Sequence, residues 1–165
     1  FGPIKHEVSI TTLGIRAPRT SLTELLLICV ATIAFIILFS WIYGTIISVL
    51  DLDALQPTEL PLEPNLITAV LVIGFGPLSE EIFFRGFVLP GLGNRLGVIG
   101  GLIGSALFFS LLHVSPSIVI PAFVAGIVLG WLYLRTGSLW GCILVHGSQN
   151  AIAFSIATGM THPNL

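Results

Sequence analysis

From Leu22 to Leu50 the chain carries one charged residue, Glu24, and everything after that position is apolar or small and neutral. At 1.5 Å per helical residue, about 20 residues cross the hydrocarbon of a bilayer, so this run spans with length to spare and tilts. Four further apolar runs follow: Leu66–Leu89, Val98–Val114, Ile118–Leu134 and Ser138–Thr158. Only 8% of the residues are charged and mean hydropathy is +1.04, whereas a soluble domain carries about 25% charged residues. Run length and the lack of period-two alternation favour helices over barrel strands. The sequence therefore predicts an all-α polytopic membrane bundle of about five transmembrane helices. Gly74, Gly76 and Pro77 predict a kink or restart in the second span.

Polar punctuation organises the rest. Residues 1–21 form an N-terminal segment and residues 22–50 the first transmembrane helix. Asp51–Asn65 reads as a loop, with Asp51, Asp53, Glu59 and Glu63 but no Lys or Arg. Pro90–Gly97 reads as a short turn containing Arg95, Ser115-Pro116-Ser117 ends the third span, and Arg135-Thr136-Gly137 closes the fourth. Basic residues favour the cytoplasmic side. With the N-terminus inside and alternating spans, Lys5, Arg16, Arg19, Arg95 and Arg135 all fall there, leaving the C-terminus outside. This predicts a multi-pass protein of the cell membrane. The first apolar run is too long for a cleavable signal peptide and lacks a small-residue cleavage site. A net charge of -2 and no basic stripe argue against a nucleic-acid partner. Cys29 and Cys142 lie inside apolar runs, as small buried hydrophobes would. Gly97/Gly101, Gly100/Gly104 and Gly126/Gly130 are spaced for close helix contact in lipid.

Ionisable groups in hydrocarbon cost about 2.5–3.5 kcal/mol each on insertion scales and are functional by default. Here they are Glu80, Glu81, Arg85, His113 and His146, with Asn150 as a neutral companion. Glu81 and Arg85, four apart, can pair along one helix face. Glu80 lies about 100° round the helix, free for another partner. His146 and Asn150 are also four apart, and His113 follows Phe109 by four. A self-neutralising ion pair and hydrogen-bonded packing histidines would explain some of these residues singly, and Phe84 and Phe109 read as packing residues. Two glutamates, two histidines and an asparagine together exceed what structural glue requires. A carboxylate and a histidine can activate a water as general base. A second histidine and an amide can donate to the oxyanion of an attacked carbonyl. No H-E-x-x-H helix, G-x-S-x-G elbow or intramembrane aspartate pair is present.

Glu80-Glu81-Ile82-Phe83-Phe84-Arg85 fits E-E-x-x-x-R, Phe109-Ser110-Leu111-Leu112-His113 fits F-x-x-x-H, and His146-Gly147-Ser148-Gln149-Asn150 fits H-x-x-x-N. In this order the three motifs resemble the CPBP family of CAAX-processing and bacteriocin-processing (Abi) intramembrane proteases, over residues 66–155, which makes 66–158 the catalytic helical core. The resemblance implies a CAAX-protease-like endopeptidase in which Glu80 activates water with His113. His146 and Asn150 then hold the oxyanion, and Glu81 with Arg85, backed by Phe109, shapes the site. It implies no cofactor, with zinc on Glu80, His113 and His146 as the alternative. The implied partners are the bilayer and a membrane protein or lipidated peptide; oligomeric state is not readable. Competing functions are a non-catalytic immunity or scaffold protein of the same fold, and a transporter, for which an internal repeat is missing. Counting from the cytoplasmic face places Glu80 and His146 about 12–14 Å deep but His113 about 24 Å deep, a mismatch the fold must resolve.

Overall fold

The computed structural model describes residues 13–52, 55, 65–113 and 116–161, and no strand occurs among them. Four helices occur among the described residues: α1 (Leu22–Val49), α2 (Leu66–Leu111), α3 (Pro116–Thr136) and α4 (Leu139–Thr161). Ser21 caps α1 by accepting the Glu24 N–H at 3.2 Å, and Asn65 caps α2 by accepting that of Thr68 at 2.9 Å. Each satisfies an amide that the first turn leaves without a partner. Lys5, Asp53, Glu59 and Glu63 lie outside the described residues.

Helices α1, α2 and α3 are long and apolar enough to cross a membrane. Large apolar side chains such as Leu27, Trp41, Phe87, Ile99 and Trp140 are exposed around the bundle. In lipid that exposure is free of the cost it carries in water. The last predicted span is helical over 23 residues, Leu139–Thr161. Its apolar character is diluted by His146, Ser148, Gln149 and Asn150, which is why it falls outside the apolar three.

The second and third predicted spans are one helical stretch folded back at Gly97. Its backbone there is φ 76, ψ 169, the left-handed side of the map that glycine reaches without strain. The predicted turn at Pro90–Gly97 is therefore helical up to its last residue. The prolines explain the difference. Pro77 and Pro90 each follow a π-turn segment, Val70–Phe75 and Ile82–Val88, so the widened turn absorbs the missing N–H and the ring. The kink expected at Gly74–Pro77 is such a π-turn, with α-region dihedrals at both its ends. Carbonyls in both segments accept from side chains: Val72 from Asn150 at 2.9 Å and Phe84 from Ser105 at 3.1 Å.

Small residues then let the two limbs of α2 and α3 close up. A Cβ on Gly101 would lie 2.7 Å from the Gly93 backbone, and one on Gly126 would lie 3.0 Å from Ala106 Cα. One buried core joins α1, α3 and α4 through Cys29, Ile36, Leu129, Leu132, Cys142 and Val145; a second joins Phe84, Phe109 and Ala122. Both thiols are free and buried, as the sequence predicts. The end of the N-terminal segment straps the α3–α4 turn. Arg16 Nε donates to the Gly137 carbonyl at 2.6 Å, and Ser138 Oγ donates to the Arg16 carbonyl at 2.6 Å.

Candidate active site

Glu80 and Glu81 end the α-helical stretch Gly76–Glu81 between the two π-turn segments. Being consecutive, they diverge by about 100°. Glu81 points into the protein and is fully buried, whereas the Glu80 side chain is 40% exposed. Arg85 donates from Nη1 to Glu81 Oε1 at 2.9 Å, the pairing expected from their spacing. Its Nη2 reaches the Gly126 carbonyl at 3.3 Å, and its guanidinium lies 4.6 Å from the centre of the Phe109 ring. A buried cation needs such partners from every side, and the cation–π contact supplies one face.

His146 enters from α4. Its Nδ1 lies 2.8 Å from Glu81 Oε1, so that oxygen holds both Arg85 and His146, while Oε2 is buried with no partner among the described residues. On the other side of the ring, Nε2 lies 3.8 Å from Glu80 Oε2. That is too long for a direct hydrogen bond. A carboxylate accepting at Nδ1 fixes the proton on that nitrogen and turns Nε2 toward Glu80.

His113 lies beyond the end of α2. The last carbonyls of a helix have no partner within it, and His113 Nδ1 takes the Phe109 carbonyl at 2.9 Å. A carbonyl can only accept, so Nδ1 carries the proton and Nε2 of the neutral ring is an acceptor. The fold also resolves the depth mismatch. Glu80 and His113 stand nearly equal numbers of residues before and after Gly97, so the reversal there returns them to one level. Phe109 joins the two histidines. Its ring centre is 4.8 Å from that of His113, 5.7 Å from that of His146 and 5.2 Å from that of Phe84.

Phe109, His113, His146 and Asn150 all line one cavity of about 660 Å³, walled otherwise by mainly apolar residues of α1, α3 and α4. Asn150 Nδ2 spends one of its two hydrogens on Val72, and the other has no partner among the described residues. Among the described residues, the ionisable group within 4 Å of the Glu80 carboxylate is His146, on another helix. Glu80, His113 and His146 do not assemble as a zinc set, since no group of three His, Cys, Asp or Glu placed to hold a metal occurs among the described residues.

Three features escaped the sequence reading. The Glu81–His146 bond is tertiary and has no local signature. The orphan amide of Gln149 is visible only once its surroundings are known. Gly86, next to Arg85, is where the N-terminal strap crosses α2, for a Cβ there would stand 2.7 Å from the Leu13 carbonyl. The Arg85-Gly86 pair was the available signal.

A family model described as type II CAAX prenyl endopeptidase, Rce1-like, matches residues 62–152. The match takes in all the site residues from Glu80 to Asn150. No curated protein and no solved structure matches the chain.

Proposed function

Because the chain belongs to the Rce1-like family of type II CAAX prenyl endopeptidases, we propose that it hydrolyses a peptide bond in a lipidated peptide or membrane protein, with Glu80 as the base. The observation that carries this reading is the His146 ring, fixed by Glu81 on one nitrogen and facing Glu80 with the other.

Glu80 and the acceptor nitrogen of His113 hold and polarise a water. As its oxygen bonds to the substrate carbonyl carbon, its proton passes to Glu80. The carbonyl oxygen becomes negative and takes hydrogen bonds from His146 Nε2–H and the free Asn150 Nδ2–H. The His146 role needs a proton on both ring nitrogens. The C–N bond then breaks, and the proton on Glu80 moves to the departing amine. Glu81 and Arg85 touch none of the reacting atoms and act by holding His146 and Phe109.

A cavity of about 660 Å³ with mainly apolar walls suits a ligand with an apolar body and a few polar points, as a lipid-bearing peptide is. The setting is the cell membrane, with the N-terminus on the cytoplasmic side. The test is incubation of the purified protein in detergent with a farnesylated CAAX-type peptide, followed by mass spectrometry. Wild type should give cleaved product and Glu80→Gln none; an intact peptide after incubation with well-folded wild type counts against the proposal.

A further inference from the structure

Gln149 sits between the two residues of the H-x-x-x-N pair and lines the same cavity. One residue before Asn150 on α4, it is turned about 100° from that side chain. It thus flanks the site rather than belonging to the His146/Asn150 face. Its Nε2 is buried and has no hydrogen-bond partner among the described residues. A buried amide left unpaired costs about 1–3 kcal/mol, and nothing about helix formation requires glutamine here. The neighbouring amide differs in this respect, since Asn150 is tied to the Val72 carbonyl.

The free groups are also of the kind a peptide needs. An extended substrate brings into an apolar cavity not only its scissile carbonyl but the amides on either side. Each of those loses water on entry and must find a partner. His146 and Asn150 are taken up by the scissile carbonyl in the mechanism above. We infer that Gln149 is a substrate-docking residue, its side-chain amide turning out of its sealed position to donate to a backbone carbonyl adjacent to the scissile bond. This rests on the endopeptidase reading. The bond is made when substrate binds and persists through the reaction, so it contributes equally to ground and transition states and appears in KM rather than kcat.

The experiment compares wild type, Gln149→Leu and Gln149→Glu on a farnesylated CAAX-type peptide. Binding of the same peptide is also measured on each in a Glu80→Gln background. Leucine keeps the bulk without the amide, and glutamate keeps the shape without the N–H donor. Both should raise KM about tenfold with kcat within about twofold, as loss of one hydrogen bond used in binding requires. Gln149→Leu should melt no lower than wild type, because it removes an unsatisfied buried donor. An unchanged KM, or a fall in kcat at unchanged KM, overturns the inference. So does a lowered melting temperature with both parameters impaired, which marks a structural role. If Gln149→Leu fails to fold, the Gln149→Glu kinetics decide alone. Wild type that binds the peptide without cleaving it removes the endopeptidase reading. Docking then stands or falls on whether Gln149→Leu weakens that binding. Wild type that does neither removes both.

Discussion

Glu81 on α2 and His146 on α4 meet at 2.8 Å through Oε1 and Nδ1, and the same oxygen holds Arg85 at 2.9 Å. One buried atom therefore joins a cation of α2 to a histidine from the other end of the chain. The neighbouring glutamate faces the opposite nitrogen of that ring at 3.8 Å. Two adjacent carboxylates thus serve the same imidazole in different ways, one as its hydrogen-bonded anchor and one facing its other nitrogen without a direct bond.

Asn150→Ala separates catalysis from binding. An oxyanion donor acts mainly in the transition state, so kcat should fall by about 10²–10³ with KM little changed. Asn150 also holds the Val72 carbonyl, so melting should show a loss of about 1 kcal/mol, the net worth of one hydrogen bond. Steady-state kinetics and thermal melting on one preparation check both. An unchanged kcat would remove Asn150 from the oxyanion site.

Metal removal addresses the zinc alternative. Among the described residues Glu80, His113 and His146 are not gathered into a set of three placed to hold a metal. Activity should survive chelators, and elemental analysis should find no stoichiometric zinc. Loss of activity on chelation, restored by zinc, would reverse this.

Membrane topology can be read with cysteines placed at Leu52 and Asn94, both exposed. The native thiols, Cys29 and Cys142, are buried and should stay silent. In sealed vesicles an impermeant maleimide should reach only one of the two positions from a given side. Labelling of both from the same side contradicts the alternating spans.

Much of this site could be read from spacing alone, because helical periodicity is local. The four-residue steps from Glu81 to Arg85 and from His146 to Asn150 need no tertiary knowledge, and the first proved to be an ion pair. Where the reading erred, it misjudged proline. Pro90 looks like a helix terminator, but the preceding π-turn absorbs it and Gly97 makes the reversal instead. His113 follows Phe109 by one helical turn in sequence, yet it lies past the last turn and bonds the Phe109 carbonyl from outside the helix. The approach of His146 to Glu80 could not be read, since it joins two helices distant in sequence.

The sharpest contrast lies between the two adjacent glutamates, and it decides whether the cluster does chemistry. Glu80 is 40% exposed and makes no side-chain hydrogen bond among the described residues, its approach to His146 being 3.8 Å. Its removal strands no buried charge. Glu80→Ala should therefore keep expression and melting behaviour, or gain slightly in stability, while cleavage of a farnesylated peptide drops below detection. Glu81 is fully buried against Arg85 and His146. Glu81→Ala leaves an unpaired guanidinium in the protein interior, a loss of about 3–5 kcal/mol, so instability should accompany inactivity. Melting and turnover measured together on both variants give four readings. Inactivity in both with instability only in Glu81→Ala is the expected pattern. Equal unfolding of the two would make the cluster structural glue. A folded Glu80→Ala that cleaves at the wild-type rate would remove the base from the mechanism, and the assignment of this site with it.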